Sequence, residues 1–168
     1  MIATLLRIFS AVYLGNQVVA LPGTADQISY HSLALRVLDG HGFTFDQAWW
    51  PATEAGAPTA HWSYLYTIYL VIIYAIFGPN PLAARVIQSI IIGAAHTFLA
   101  YIIAKHTFNK TIGLAAAGVT AVYIYFIYYA GTLMTEPFFI IALMGSLYLG
   151  ILITVSYTHL TLPTTPYV

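Results

Sequence analysis

Five apolar runs alternate with short polar joints along the 168 residues, and one long polar stretch interrupts them. Ile2–Leu21 is apolar apart from Arg7, Asn16 and Gln17. Pro22–Ala60 is polar and holds four of the five acids: Asp26, Asp39, Asp46 and Glu54. Trp62–Phe77, Leu82–Ala104, Ile112–Met134 and Pro137–Thr154 follow as apolar runs, and Glu136 stands between the last two. Runs of this length predict helices that cross a hydrocarbon layer of about 30 Å. The expected fold is therefore all-α: a polytopic transmembrane helical protein with an outer loop over residues 22–61.

The joints carry helix punctuation. Asn80-Pro81 predicts an N-cap followed by proline at the first helical position. Thr135-Glu136-Pro137 predicts the same, with the acid at the positive end of its helix. Phe77-Gly78-Pro79 is a stop. Within the loop, Thr24 or Asp26 is expected to cap a helix that runs to about Leu38 and ends at Asp39-Gly40. Its mixed faces predict a helix lying along the membrane surface. Tyr123, Tyr125, Tyr128 and Tyr129 predict an interfacial aromatic belt.

Composition agrees with a bilayer environment. Of the residues, 60% are hydrophobic and 6% charged, and mean hydropathy is +0.82, so there is too little polar surface to cover a soluble globule. Five basic and five acidic side chains cancel, which gives nucleic acid nothing to recognise. There is no cysteine and hence no disulfide or thiolate site. The first run is too long for a signal-peptide core and lacks a small-x-small cleavage site, so it reads as a retained span.

Arg7 before the first span predicts a cytoplasmic N-terminus and an outside loop. One crossing per run would then place Lys105 and Lys110 outside and Arg85 inside, against the positive-inside tendency. The 16 residues of Trp62–Phe77 are slightly short for a span, and the number of crossings stays open.

The apolar pattern stops at Thr154. The string GTC TCT TAT ACA CAT CTG ACG CTG CCG ACG encodes Val155–Thr164 and resembles a transposon-end adapter used in preparing sequencing libraries. The expectation is that residues 155–168 are a non-native tail, and that 1–154 is the N-terminal part of a longer membrane protein.

A carboxylate at Asp26 can cap a helix, bind a divalent metal, or act as general base on a hydroxyl. His31 reads as a surface or substrate-binding residue. His41 and His61 can complete a metal site with Asp26. His96, inside an apolar run, predicts a hydrogen-bonded interior position. Glu136 is either a helix-start acid or a second acid of an active-site cavity. Trp49 and Trp50 predict an interfacial anchor or a sugar-stacking pair. Gly113, Ala117 and Gly118 predict close helix packing. Asn109-Lys110-Thr111 fits a glycosylation sequon.

The segment DQISYHSLALRVLDGHGFTF resembles the first outer-loop motif of the GT-C membrane glycosyltransferases. It is most similar to the branch of protein O-mannosyltransferases and the aminoarabinose transferase of lipid A. Asp26, Tyr30, Leu33, Arg36, Leu38, Gly40 and Gly42 carry that likeness. WSYLYTIYLVIIYAIFGPNPLAARVIQ resembles the next stretch, through Phe77-Gly78 and Ala83-Ala84-Arg85. YYAGTLMTEPFFIIALMGSLYL resembles a later one, through Thr135-Glu136. The pieces occur in family order over about Met1–Thr154.

The resemblance implies transfer of a sugar from a polyprenyl-phosphate donor to a lipid, glycan or protein outside the cell membrane, with inversion. It implies Asp26 as catalytic base, Glu136 as a second acid, and Tyr30, His31 and His61 as substrate contacts. Two positions depart from the pattern. Gln27 stands where many relatives have Glu, which argues against a two-carboxylate metal site. Ala60-His61-Trp62-Ser63-Tyr64 lacks the usual basic residue facing the phosphate, and His61 can replace it only as a cation or a metal ligand. The rival expectations are a transporter or flippase subunit, which needs ionisable groups within its spans, and a small structural membrane protein.

Overall fold

The computed structural model describes residues 1–160, and among them the backbone forms seven helices and no strand. They are α1 (Ile2–Leu14), α2 (Asp26–Leu38), α3 (Tyr64–Phe77), α4 (Pro81–Thr107), α5 (Lys110–Val122), α6 (Ile124–Ala130) and α7 (Glu136–Leu160). Most of the expected foreign tail, residues 161–168, lies outside the described residues.

Two helices, α4 and α7, are long and apolar enough to cross a membrane, and α5 with α6 makes a third if the bent pair is one span. The outward faces are strongly apolar, with Leu5, Phe9, Phe98, Phe139, Leu143, Leu147 and Ile153 all exposed. In water such a surface would be untenable; against lipid it costs nothing.

α4 is the axis. Its buried face carries Arg85, Gln88, Ser89, Ile92, Gly93, His96 and Ala100, which recur turn by turn along one side of the helix. The Asn80 side chain accepts from Ala83 N at 3.1 Å and Pro81 opens the helix, as the sequence predicts. α1 runs antiparallel to α4. Asn16 Oδ1 accepts from Leu82 N at 2.9 Å, and Ser89 Oγ donates to Arg7 O at 3.1 Å. At the closest approach a Cβ on Gly93 would lie 2.7 Å from Thr4 Cα, so only glycine fits there. Of the glycines expected to allow close packing, Gly113 does so against Tyr101 O, whereas Gly118 faces open space.

Three expectations change. The first span does not reach Leu21: α1 ends at Leu14, and Gly15 takes φ +58°. Its 13 residues cover about 20 Å, short of a full crossing. Second, the run Ile112–Met134 is broken at Tyr123, where the backbone turns extended and the two halves bend by 53°. The break frees carbonyls at the end of α5, and Arg7 takes them up, donating to Thr120 O at 3.0 Å and Ala121 O at 3.3 Å. Arg7 is fully buried, so it is an internal strut and not the flanking charge the sequence suggested. Third, α2 is capped by neither Thr24 nor Asp26. Ala25 is the N-cap residue without a side-chain bond, and Asp26 is the first helical residue. The far end, Leu38 followed by Asp39, falls where predicted.

α3 folds back along the first turns of α4. Tyr66 Oη donates to Gln88 Oε1 at 2.8 Å, and Tyr69 Oη to Ala84 O at 2.6 Å. With α2 it encloses the main apolar cluster, in which Tyr30, Leu33, Phe45, Trp62, Tyr66, Leu70 and Tyr74 are buried. At 14 residues α3 also falls short of a crossing. The Tyr123–Tyr129 stretch is only partly a belt: Tyr123 and Tyr125 are exposed, while the Tyr128 and Tyr129 hydroxyls donate to Pro22 O and Gly23 O.

Candidate functional site

One buried arginine positions the start of α2. Arg85, on the second turn of α4, donates to Leu14 O at 3.4 Å, Gln17 O at 2.8 Å, Gly15 O and Gln27 Oε1 at 3.0 Å. Gln27 is fully buried, and its Nε2 donates to Val19 O. The link from α1 to α2 is thereby bound to α4, and Asp26 is set beside it. A neutral amide at position 27 meets both a guanidinium and a carbonyl, which a carboxylate cannot do.

Asp26 and Tyr30 lie one turn apart on α2, and Glu136 opens α7. Tyr30 is buried, edge-on to Trp62 at 5.5 Å and to Tyr66 at 5.0 Å. Burial pushes its hydroxyl above the ordinary tyrosine value, the Ser63 backbone opposes this, and the charges of Glu136 and Asp26 add to the rise. Glu136 Oε2 and Trp62 Nε1 are both buried without a hydrogen-bond partner among the described residues.

His31 and His61 are not brought into this group. His31 Nδ1 shares a hydrogen bond of 2.8 Å with the Tyr74 hydroxyl. Burial, and then the Arg85 charge, push the His31 imidazole below its ordinary 6.5. The unfolded chain therefore binds a proton more readily than the folded one below that value. Stability is complete above about pH 6.5 and falls as the pH drops past it. We expect thermal unfolding in detergent to show this loss between about pH 6.5 and pH 5, and the variant His31→Gln to reduce it. His61 is exposed, edge-on to Trp50 at 5.3 Å and to Trp62 at 5.0 Å.

Among the described residues no three His, Asp or Glu side chains come together to hold a metal ion, so the trio of Asp26, His41 and His61 does not form. The tryptophan pair splits. Trp49 stacks on Phe45 at 4.8 Å and donates to Ser29 Oγ at 2.9 Å, while Trp50 is 69% exposed.

Two concavities flank the first turns of α7. An apolar groove of about 450 Å³ lies where the N-terminal turns of α3 and α7 meet, between Leu65, Tyr66 and Tyr69 on one side and Phe138, Phe139 and Ala142 on the other. Ser63 and Thr135, which precede the two helices, also line it. On the opposite face of α7, a cavity of about 300 Å³ is lined by His96, Glu136 and the rings of α6.

Sequence reasoning missed Arg85 as a positioning residue, and Gln88 and Trp62 altogether. Gln88 Nε2 donates to Ala130 O at 3.0 Å and Thr132 O at 2.7 Å, which holds the approach to α7. The signal was available: Arg85, Gln88, Ser89 and His96 recur at helical spacing inside an apolar run.

No protein-family model, curated protein or solved structure matches the chain.

Proposed function

We propose that the chain belongs to a GT-C type glycosyltransferase that moves a sugar from a polyprenyl-phosphate donor to an acceptor hydroxyl on the outer side of the membrane. The observation that carries this reading is an apolar groove between the N-terminal turns of α3 and α7, one wall of which, Tyr66, packs edge-on against Tyr30 of the helix that Asp26 opens. An apolar groove receives a hydrocarbon tail, and the N-terminal dipole of α3 favours a phosphate at its end. The Asp26 carboxylate takes the acceptor's hydroxyl proton as its oxygen bonds to the anomeric carbon. The bond from that carbon to the phosphate oxygen breaks, and the lipid phosphate departs with the electron pair. The missing basic residue near His61 is then replaced by neutral donors.

The orientation belongs to the same proposal. Lys105, His106 and Lys110 are exposed at one end of α4, and Asp26 stands toward the other, next to the Gln27 that Arg85 holds. With α3 folded back instead of crossing, Glu136 joins the loop side and the lysines the N-terminal side. That removes the conflict with the positive-inside tendency and supports a cytoplasmic N-terminus.

The transporter reading draws on the break between α5 and α6, a feature of transporter sites. Arg7 already occupies the carbonyls that the break exposes, which leaves them nothing to offer a substrate.

A polyprenyl phosphate carrying a photoreactive group in its tail tests the donor site on this chain. We expect crosslinks at Leu65 and Phe139, competed by unlabelled polyprenyl phosphate and not by a polyprenol. Labelling spread over the outward faces of α5 and α7 overturns the proposal.

A further inference from the structure

A groove of about 390 Å³ runs along the second half of α4, between α1 and α5, and Thr4, Gly93, Ala94, Phe98, Tyr101 and Leu114 line it. Two close helix contacts bound it. α1 meets α4 at Gly93, where a Cβ would lie 2.7 Å from Thr4 Cα. α5 meets α4 at Gly113, where a Cβ would lie 2.9 Å from Tyr101 O. Between these contacts the small side chain of Ala94 leaves the space open. Ala94, Phe98 and Leu114 are exposed, so the groove faces outward on an apolar surface, and its occupant comes from the bilayer.

Both walls carry a lysine one turn beyond the groove, at the same end. On α4, Lys105 follows Tyr101 by one turn, and its Nζ lies 5.8 Å from the centre of the Tyr101 ring. On α5, Lys110 precedes Leu114 by one turn and shares its face. The helices touch there, since a Cβ on Gly113 would lie 3.0 Å from Lys105 Cβ. Both lysines are exposed. α1, α4, α5 and the joint between the last two contain no acid, so nothing in them offsets the two charges. Lys110 also opens α5, where the helix dipole opposes a cation.

We infer that this groove holds an anionic phospholipid. One acyl chain lies along α4 against Gly93, Ala94 and Phe98, and the headgroup phosphate meets Lys105 and Lys110. The volume equals roughly thirteen waters, room for a stretch of one chain. Hydrocarbon suits the walls, and a net negative headgroup offsets the lysines at the depth where span-end lysines sit. A zwitterionic phospholipid fills the groove equally well but brings a cation of its own toward them.

The inference does not rest on the transferase reading. The groove shares no residue with the one between α3 and α7, and Asp26→Asn leaves lipid retention unchanged.

Native mass spectrometry of the detergent-purified protein, incubated with equimolar phosphatidylglycerol and phosphatidylcholine, tests the site. One phosphatidylglycerol retained at least about fivefold over phosphatidylcholine is expected. The double variant Lys105→Gln/Lys110→Gln, at two exposed positions, should remove that preference. Ala94→Trp fills the groove and leaves both lysines in place, and it should lower phosphatidylglycerol retention about tenfold. If Ala94→Trp does not fold by circular dichroism, Ala94→Leu takes its place, with a loss of about threefold. Equal retention of the two lipids overturns the inference, as does a preference unchanged in the folded lysine variant or retention unchanged in the folded Ala94 variant. A dimer that Ala94→Trp converts to monomer also overturns it, because the groove then belongs to a second copy of the chain.

Discussion

Asp26→Asn lowers sugar transfer by about 10²- to 10⁴-fold while leaving the helices in place. The size of the effect follows from the role proposed for the carboxylate. A general base works by accepting a proton, and an amide of the same shape cannot. The same substitution separates this role from its structural alternative. Asparagine caps a helix as well as aspartate does, so a capping residue would survive the change. In this protein α2 has no side-chain cap bond at all, and Asp26 is only half-buried at its first position. The remaining structural contribution is a negative charge near the helix N-terminus, about 0.3–1 kcal/mol. On the proposed role, membranes carrying the Asp26→Asn protein should therefore show normal protein levels and melting behaviour but no transfer of label from a polyprenyl-phosphate sugar. Transfer at the wild-type rate would remove Asp26 as the base and leave the groove without adjacent chemistry.

What the sequence disclosed and what it hid divide along a physical line. Helical class, the bounds of α2 at Leu38 and the cap at Asn80 depend on neighbours within a turn, and local pattern reports them. The early end of α1 does not depend on neighbours. Val18, Val19, Ala20 and Leu21 are apolar enough to extend a helix, yet the chain turns at Gly15 and its carbonyls meet a guanidinium 70 residues further on. The break at Tyr123 is similar: Arg7 accepts responsibility for the freed carbonyls from 113 residues away. Periodicity within a window of 18 residues contains neither event.

The candidate site shows the same division. Asp26 and Tyr30, one helical turn apart, were legible as a pair, because residues spaced by four share a face. Glu136 could be joined to them only through the order of motifs in a resemblance. Its place in space is set where α7 packs on α4, through Gln88 to Thr132 O and His96 to Pro137 O. The histidines misled for a simple reason. A polar side chain in a loop advertises reactivity whether or not it has a partner, and His31 already has one in Tyr74.

Arg85→Met is expected to destabilise the protein by about 3–5 kcal/mol, more than any other single change at the candidate site. Arg85 is fully buried and meets four oxygens from three parts of the chain: the end of α1, the link after it, and Gln27 of α2. Methionine fills much of the same space and removes a costly buried charge, which offsets part of the loss. It leaves the carbonyls of Leu14, Gly15 and Gln17 and the Gln27 amide oxygen without a donor. Each such orphan costs about 1–3 kcal/mol, so the loss outweighs the relief. Arg85→Lys should fall between the two, because an ammonium keeps the charge at the end of α1 but cannot spread its donors over the width of a guanidinium. Thermal unfolding in detergent should therefore rank wild type above Arg85→Lys and Arg85→Lys above Arg85→Met. The link between α1 and α2 should become the first segment open to protease in Arg85→Met, and transfer should fall with it, since Asp26 begins the helix that this link delivers. A wild-type melting point in Arg85→Met would mean that the Gln27–Val19 bond and the packing of α2 on α3 suffice to hold Asp26, and that the buried guanidinium serves another purpose.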